Sequence, residues 1–271
     1  VTALLLIGGL LALAVPVQAA EIVEGDETNP YVEINEPVDD DLIVFAEKVT
    51  VNAPVDGNVI ASGETVTLNS VVEGDVFAGA QILRIGKDAE IKGNLLFGAA
   101  EVMIEGKVNG SVFGGAATIL FDNGSQVGRN VYIGGYNMEL NSEAVIGRDL
   151  YGGFYQIDLS GAVQEDVFLG AEAVEFKGKV GGNLTLEISD PNTRMGMPTT
   201  FMIPGMENPP RTMDAGLDVD ENAELGGELT LITPVLVEPR YDNIDEGAVT
   251  LEAPEEDMSV KEIEREHQGG G

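Results

Sequence analysis

The sequence contains no cysteine, no tryptophan and one histidine, and its 14 Lys and Arg stand against 47 Asp and Glu in 271 residues. Each shortage excludes something. Without Cys there is no disulfide, no thiol nucleophile and no lipid-bearing Cys, so stability must come from packing. The one histidine is His267, so a serine nucleophile has no histidine base in the body of the chain. A formal net charge of −33 argues against a nucleic-acid partner, because phosphate recognition needs clustered Lys and Arg. The same charge argues against electrostatic docking on an anionic lipid surface, and it predicts salt-sensitive self-association.

What is abundant is glycine, at 35 residues, and apolar side chains, at 44%. That apolar content suffices for a core and excludes wholesale disorder. The run from Ala3 to Val15, "ALLLIGGLLALAV", is uncharged, and "PVQAA" follows with Val17 and Ala19 at small-residue positions. This reads as the apolar region and cleavage site of a signal peptide over 1–19, and the run is too short for a comfortable membrane span. The expectation is an exported chain.

A short phrase recurs: "GDVFAG" (74–79), "GNLLFG" (93–98), "GSVFGG" (110–115), "NVYIGG" (130–135), "DLYGGF" (149–154) and "DVFLGA" (166–171). Its small polar residue serves as an anchor at Asp41, Asn58, Asp75, Asn94, Ser111, Asn130, Asp149, Asp166 and Asn183. The steps are 17, 17, 19, 17, 19, 19, 17 and 17 residues, averaging close to 18. Three residues before every anchor stands Val or Ile, from Val38 to Val180, and one residue after it stands Val or Leu, from Leu42 to Leu184. Mid-repeat comes an alternating apolar pair, from Val66 and Leu68 to Val174 and Phe176. Gly or Asn separates these pieces and supplies corners.

Short period-two pieces are a strand signal. A unit of this length cannot bury its own apolar face, but stacked on its neighbours it can. The fold expected is all-β: a single-stranded, three-sided β-helix of about 18 residues per coil, with coils about 4.8 Å apart. Expected boundaries are a lead or cap over 20–40, the β-helix over 41–186, an insertion over 187–222, a final coil over 223–233 and an acidic tail or linker over 234–271. Unpaired edges at solenoid ends template the addition of further chain, so the flanking segments decide between a capped rod and a filament.

Strand alternation sends the residue two after each anchor outward. Those residues are Ile43, Ile60, Phe77, Leu96, Phe113, Tyr132, Tyr151, Phe168 and Thr185. The prediction is an outward apolar ladder, with Phe77, Leu96, Phe113, Tyr132, Tyr151 and Phe168 as its candidate interaction surface. Contiguous exposed apolar stripes usually mark contact sites. Two alternatives remain open: the side chains lie along the next coil, or the tail or inserted loop covers them.

The insertion holds Pro191, Pro198, Pro204, Pro209 and Pro210, with Met195, Met197, Met202, Met206 and Met213. An adaptable apolar flap over the solenoid is the expected role. In the tail, Ser259 to His267 has the Ser-x-x-Glu start of a short helix. "DVDEN" (218–222) has the opening of a calcium loop, but the Gly and terminal Glu slots hold Ala223 and Leu229. Hexapeptide acyltransferases use coils of similar length and rely on a histidine that no coil here has. Acids are so abundant that a carboxylate pair for polysaccharide hydrolysis is expected by chance.

Over 74–119, "GDVFAGAQILRIGKDAEIKGNLLFGAAEVMIEGKVNGSVFGGAATI", the chain resembles the bactofilins, polymer-forming bacterial cytoskeletal proteins. Gly74, Asp75, Val76 and the variants at Gly93 and Gly110 carry the likeness, which extends over 41–186 and 223–232. The resemblance implies a right-handed, three-sided β-helix that assembles end to end, without nucleotide, cofactor or catalytic site. The export segment, the insertion and the long acidic tail depart from typical bactofilins. The chain is more similar to exported relatives, in which such coils precede membrane-spanning helices. "LITPVLVEPRYDNIDEGAV" (231–249) resembles their closing coil, which implies a membrane segment beyond Gly271. The function expected is self-association or scaffolding at the cell envelope, without catalysis. Binding of an envelope glycan through the aromatic ladder is the alternative.

Overall fold

The computed structural model describes residues 20–189, 209–232 and 249–252. The signal peptide expected over 1–19, Met195, Met197, Met202, Met206, the chain over 233–248 and the helix expected at Ser259–His267 lie outside the described residues. Among the described residues there is no helix, and every strand pairing is parallel. About ten coils stack as a β-solenoid.

One coil explains the rest. In the strand Val76–Ile85, Val76 and Ala78 are buried, and then Leu83 and Ile85 are buried. The alternation slips by one residue between these pairs. The chain therefore turns a corner, and both halves face one interior. The first half is side one and the second is side two. A two-residue strand, Glu90–Ile91, supplies side three, with Ile91 inward. The Val or Ile three residues before each anchor is this third inward side chain. Fully burying such a side chain contributes about 1.5–3 kcal/mol. No coil can collect that contribution alone, because the walls above and below each side chain belong to neighbouring coils.

The two step lengths have one cause. Leu68 and Val72 are four residues apart, whereas Ile85 and Ile91, Phe121 and Val127, and Leu140 and Ile146 are six apart. The two additional residues always enter the corner between sides two and three. There they close a β-turn, as in Ala89 N–H to Gly86 O at 2.9 Å and Ser125 N–H to Asp122 O at 3.0 Å. Gly124 in one such turn has φ of +87°, a left-handed conformation that glycine adopts without strain. The "DVDEN" stretch is the same corner once more: Ala223 N–H bonds Asp220 O at 3.0 Å and Asn222 N–H bonds the Asp220 carboxylate at 2.9 Å.

The expected boundaries change at two places. Residues 20–40 are a coil of the solenoid rather than a separate lead or cap. Glu21–Glu24 pairs with Leu42–Phe45, Tyr31–Ile34 pairs with Lys48–Val51, and Val38 bridges Val55. Ala20 stands where the other coils have their small polar anchor, so the repeat's marker is absent from this coil. The insertion expected over 187–222 is also narrower and sits within a coil rather than between coils. Side one runs to Ile188, Gly216–Val219 is side two of the same coil, and Glu224–Leu225 is its side three. Leu217 and Val219 are that coil's alternating pair. Leu229–Ile232 then begins the next coil, and Val249–Glu252 pairs with it in parallel.

Candidate functional site

Each anchor side chain works inside the fold, at the corner between sides three and one. Asp41 Oδ1 accepts a hydrogen bond from the Asn58 backbone N–H at 2.7 Å, Asn58 Oδ1 from Asp75 N–H at 2.8 Å, and Asp75 Oδ1 from Asn94 N–H at 2.6 Å. The run closes at Glu228 N–H on Asn183 Oδ1, at 3.0 Å, across the insertion. A carboxylate or amide oxygen there satisfies the next coil's backbone donor, which is why eight of the nine anchors are Asp or Asn, Ser111 being the exception.

The outward ladder lies where the alternation places it. Ile60, Phe77, Leu96, Phe113, Tyr132, Tyr151, Phe168 and Thr185 are successive register partners on side one. The ladder extends back to Ile22 and Ile43. Phe77 is 41% exposed and Phe168 45%, whereas Leu96 is half-buried. The alternative in which the inserted loop or the tail covers these aromatics falls on residues 190–208 and 233–271, which lie almost wholly outside the described residues.

The rings lean on one another. Phe113 and Tyr132 have centroids 5.1 Å apart and planes 7° from parallel, and Tyr132 and Tyr151 have 5.1 Å and 5°. Coplanar rings so close would overlap, so these rings stack face on face along the solenoid axis. Their faces are used within the ladder, and their edges point to solvent. Asn130 Nδ2 donates to the Tyr132 hydroxyl at 3.0 Å and fixes the tilt. Asp149 in the same coil, foremost, raises the Tyr151 phenol above its ordinary value.

A second outward row runs beside the first, two residues further along each strand. It reads Phe45, Ser62, then Gly79, Gly98, Gly115, Gly134, Gly153 and Gly170, then Glu187. Nothing in the coil requires five of these six glycines; at Gly115 alone an added Cβ would come as close as 3.3 Å to a carbonyl oxygen, that of Gly134. Among the described residues only Gly124 and Gly216 have positive φ. A Cβ added at Gly98 or Gly153 would meet no atom within 4 Å, and at Gly134 its nearest neighbour would be 3.5 Å away. Glycine within a strand costs about 0.5–1 kcal/mol relative to alanine, so the row as a whole costs about 3–6 kcal/mol. From Ile43 to Thr185 neither row carries an acidic or basic side chain, although the chain's formal charge is −33. The glycine row went unrecognised in the sequence because the same phrase also supplies corner glycines. The signal was present as a Gly four residues after each of six consecutive anchors.

Side two is different. Its outward row in the later coils is Glu139, Asp158, Glu175 and Asp218. The described end of the insertion returns over it. Arg211 donates to Glu175 Oε1 at 3.0 Å and Oε2 at 2.7 Å, and to Asp158 Oδ2 at 2.6 Å. Gln156 Nε2 donates to the Arg211 carbonyl, and Met213 is buried. Lys177 also pairs with Asp158 and Glu175. Arg211 in the first place, opposed by burial and helped by Lys177, holds the Glu175 carboxyl below its ordinary range. The flap expected to be apolar is thus fastened, in its described part, mainly by one guanidinium. No group of three or more His, Cys, Asp or Glu placed to hold a metal ion occurs among the described residues.

Compared with known proteins, the chain matches no family model, no curated protein and no solved structure.

Proposed function

We propose that this protein is an exported, bactofilin-like structural protein that self-associates or scaffolds at the bacterial cell envelope and performs no catalysis. One observation carries the reading: side one keeps an open apolar face without a charged side chain in its two outward rows over eight coils, from Ile43 to Gly170, in a chain of formal charge −33. A monomer gains nothing from exposing that face, and contiguous apolar patches of this kind mark contact surfaces. Two further features support it. Among the described residues no strand pairs with the outer edge of Glu21–Glu24, which leaves a template for end-to-end addition. The apolar segment before residue 20 supports export.

Glycan binding by the aromatic ladder is the weaker reading. A sugar ring packs its C–H bonds on the face of an aromatic ring. Both faces of Tyr132, and one face each of Phe113 and Tyr151, are taken within the row. The test is negative-stain electron microscopy and sedimentation of the full chain at low and moderate salt. Salt screens the acidic surface, with a Debye length of about 8 Å at physiological ionic strength. Filaments or larger oligomers that grow with salt are expected. A monodisperse 28.5-kDa species at every salt and protein concentration would overturn the reading.

A further inference from the structure

We propose that two copies of this chain pair side by side through side one, in parallel and in register, so that the aromatic row of each copy sits over the glycine row of the other. The inference rests on the self-association reading and names its partner and geometry. Charge chooses the face. A second copy is as acidic as the first, and sides that present carboxylates would repel it. Side one has none between Ile43 and Thr185 in its two outward rows.

Shape chooses the arrangement. Viewed from outside, the face has one tall row, Phe77 to Phe168, and one flat row, Gly79 to Gly170. A two-fold axis parallel to the solenoid axis exchanges left and right, so it sets tall row against flat row in every coil. Antiparallel packing of the same faces would set aromatic row against aromatic row and leave a gap between the glycines. The parallel pair is isologous and closes as a dimer. It also gives the glycine row a reason, since a Cβ at all of its positions but Gly115 has room within one copy and would meet the partner's ring edges.

Size sets the strength. Eight coils span roughly 40 Å, and two outward rows are about 13 Å wide, so the pair buries about 1,000 Å² in total. Stable complexes generally bury at least about 1,200 Å². The pairing is therefore reversible, and end-to-end contacts would reinforce it.

The experiment compares wild type with Gly98→Leu/Gly153→Leu and with Phe113→Ser/Tyr132→Ser by sedimentation equilibrium. Circular dichroism and thermal melts check the fold. Leucine at the open glycine positions enlarges the apolar surface, so unspecific sticking would strengthen. Fitted pairing should instead weaken at least tenfold, as it should in the serine variant. Orientation is read by spin labels on single cysteines at Glu73 and Asn109, equivalent exposed positions two residues before their anchors, one at the end of the aromatic row and one near its middle. A parallel pair gives equal inter-copy distances at the two sites. Unequal distances would overturn the arrangement. Wild-type association unchanged by both double variants would overturn this interface and leave self-association standing. A wild type that never associates would overturn both.

Discussion

Two sets of glycine stand in this molecule for opposite reasons. One row precedes the anchors, at the corner between sides three and one. A Cβ on Gly93 would lie 2.6 Å from the Gly74 carbonyl oxygen, and on Gly110 2.3 Å from that of Gly93. Gly57, Gly74, Gly93 and Gly110 each lie against the backbone of the neighbouring corner, whereas the next three coils hold Arg129, Arg148 and Glu165 at that position. The other row, Gly79 to Gly170, borders open space except at Gly115. The first row is dictated from within and the second only from outside. A residue type alone therefore says little; what a side chain would touch says which kind of constraint acts.

The contrast can be broken by substitution. Gly93→Ala and Gly110→Ala should each destabilise the monomer by about 1–3 kcal/mol, because neighbouring backbone must move. Denaturant melts at dilute protein check this. Asp75→Ala comes next: it leaves the Asn94 N–H without its acceptor and should cost about 1–2 kcal/mol. Gly98→Ala should do the reverse of the corner variants and stabilise the dilute monomer by about 0.5–1 kcal/mol. A loss of stability there would mean that the second row is constrained from within after all.

The smallest effect concerns side two. Arg211→Gln should cost about 0.5–1 kcal/mol at neutral pH, since the guanidinium is half exposed and screened. The folded-state pKa of Glu175 is depressed, so its contribution is present above the ordinary glutamate range and is lost as pH falls through the folded value. The difference in melting temperature between wild type and variant should close below about pH 4. A gap that persisted in acid would show that Arg211 acts through packing.

Much of this was legible before any coordinate. The period, the all-β solenoid and the outward direction of Phe77 to Phe168 follow from alternation and stacking, which are local rules repeated many times. What escaped depends on geometry between coils. Asp75 was visible as a marker, but its role as acceptor for Asn94 N–H needs two corners to be superposed. The insertion was misplaced because "GGELTL" marks a new coil, while "GLDV", which completes the old one, carries no glycine phrase. Arg211 reaches Asp158 over 53 residues of sequence, and no periodicity encodes such a contact.

The insertion has a further consequence, for the order in which the molecule comes apart. Neighbouring coils are joined by contacts 17 or 19 residues apart, so the solenoid forms and melts like a zipper, coil by coil. Across the insertion the equivalent contact, Asn183 to Glu228, spans 45 residues. Closing that longer loop costs about 1 kcal/mol more in chain entropy. The zipper therefore has a weak tooth near its C-terminal end. The coils from Gly216 onward should detach first, and the stack before it should outlast them.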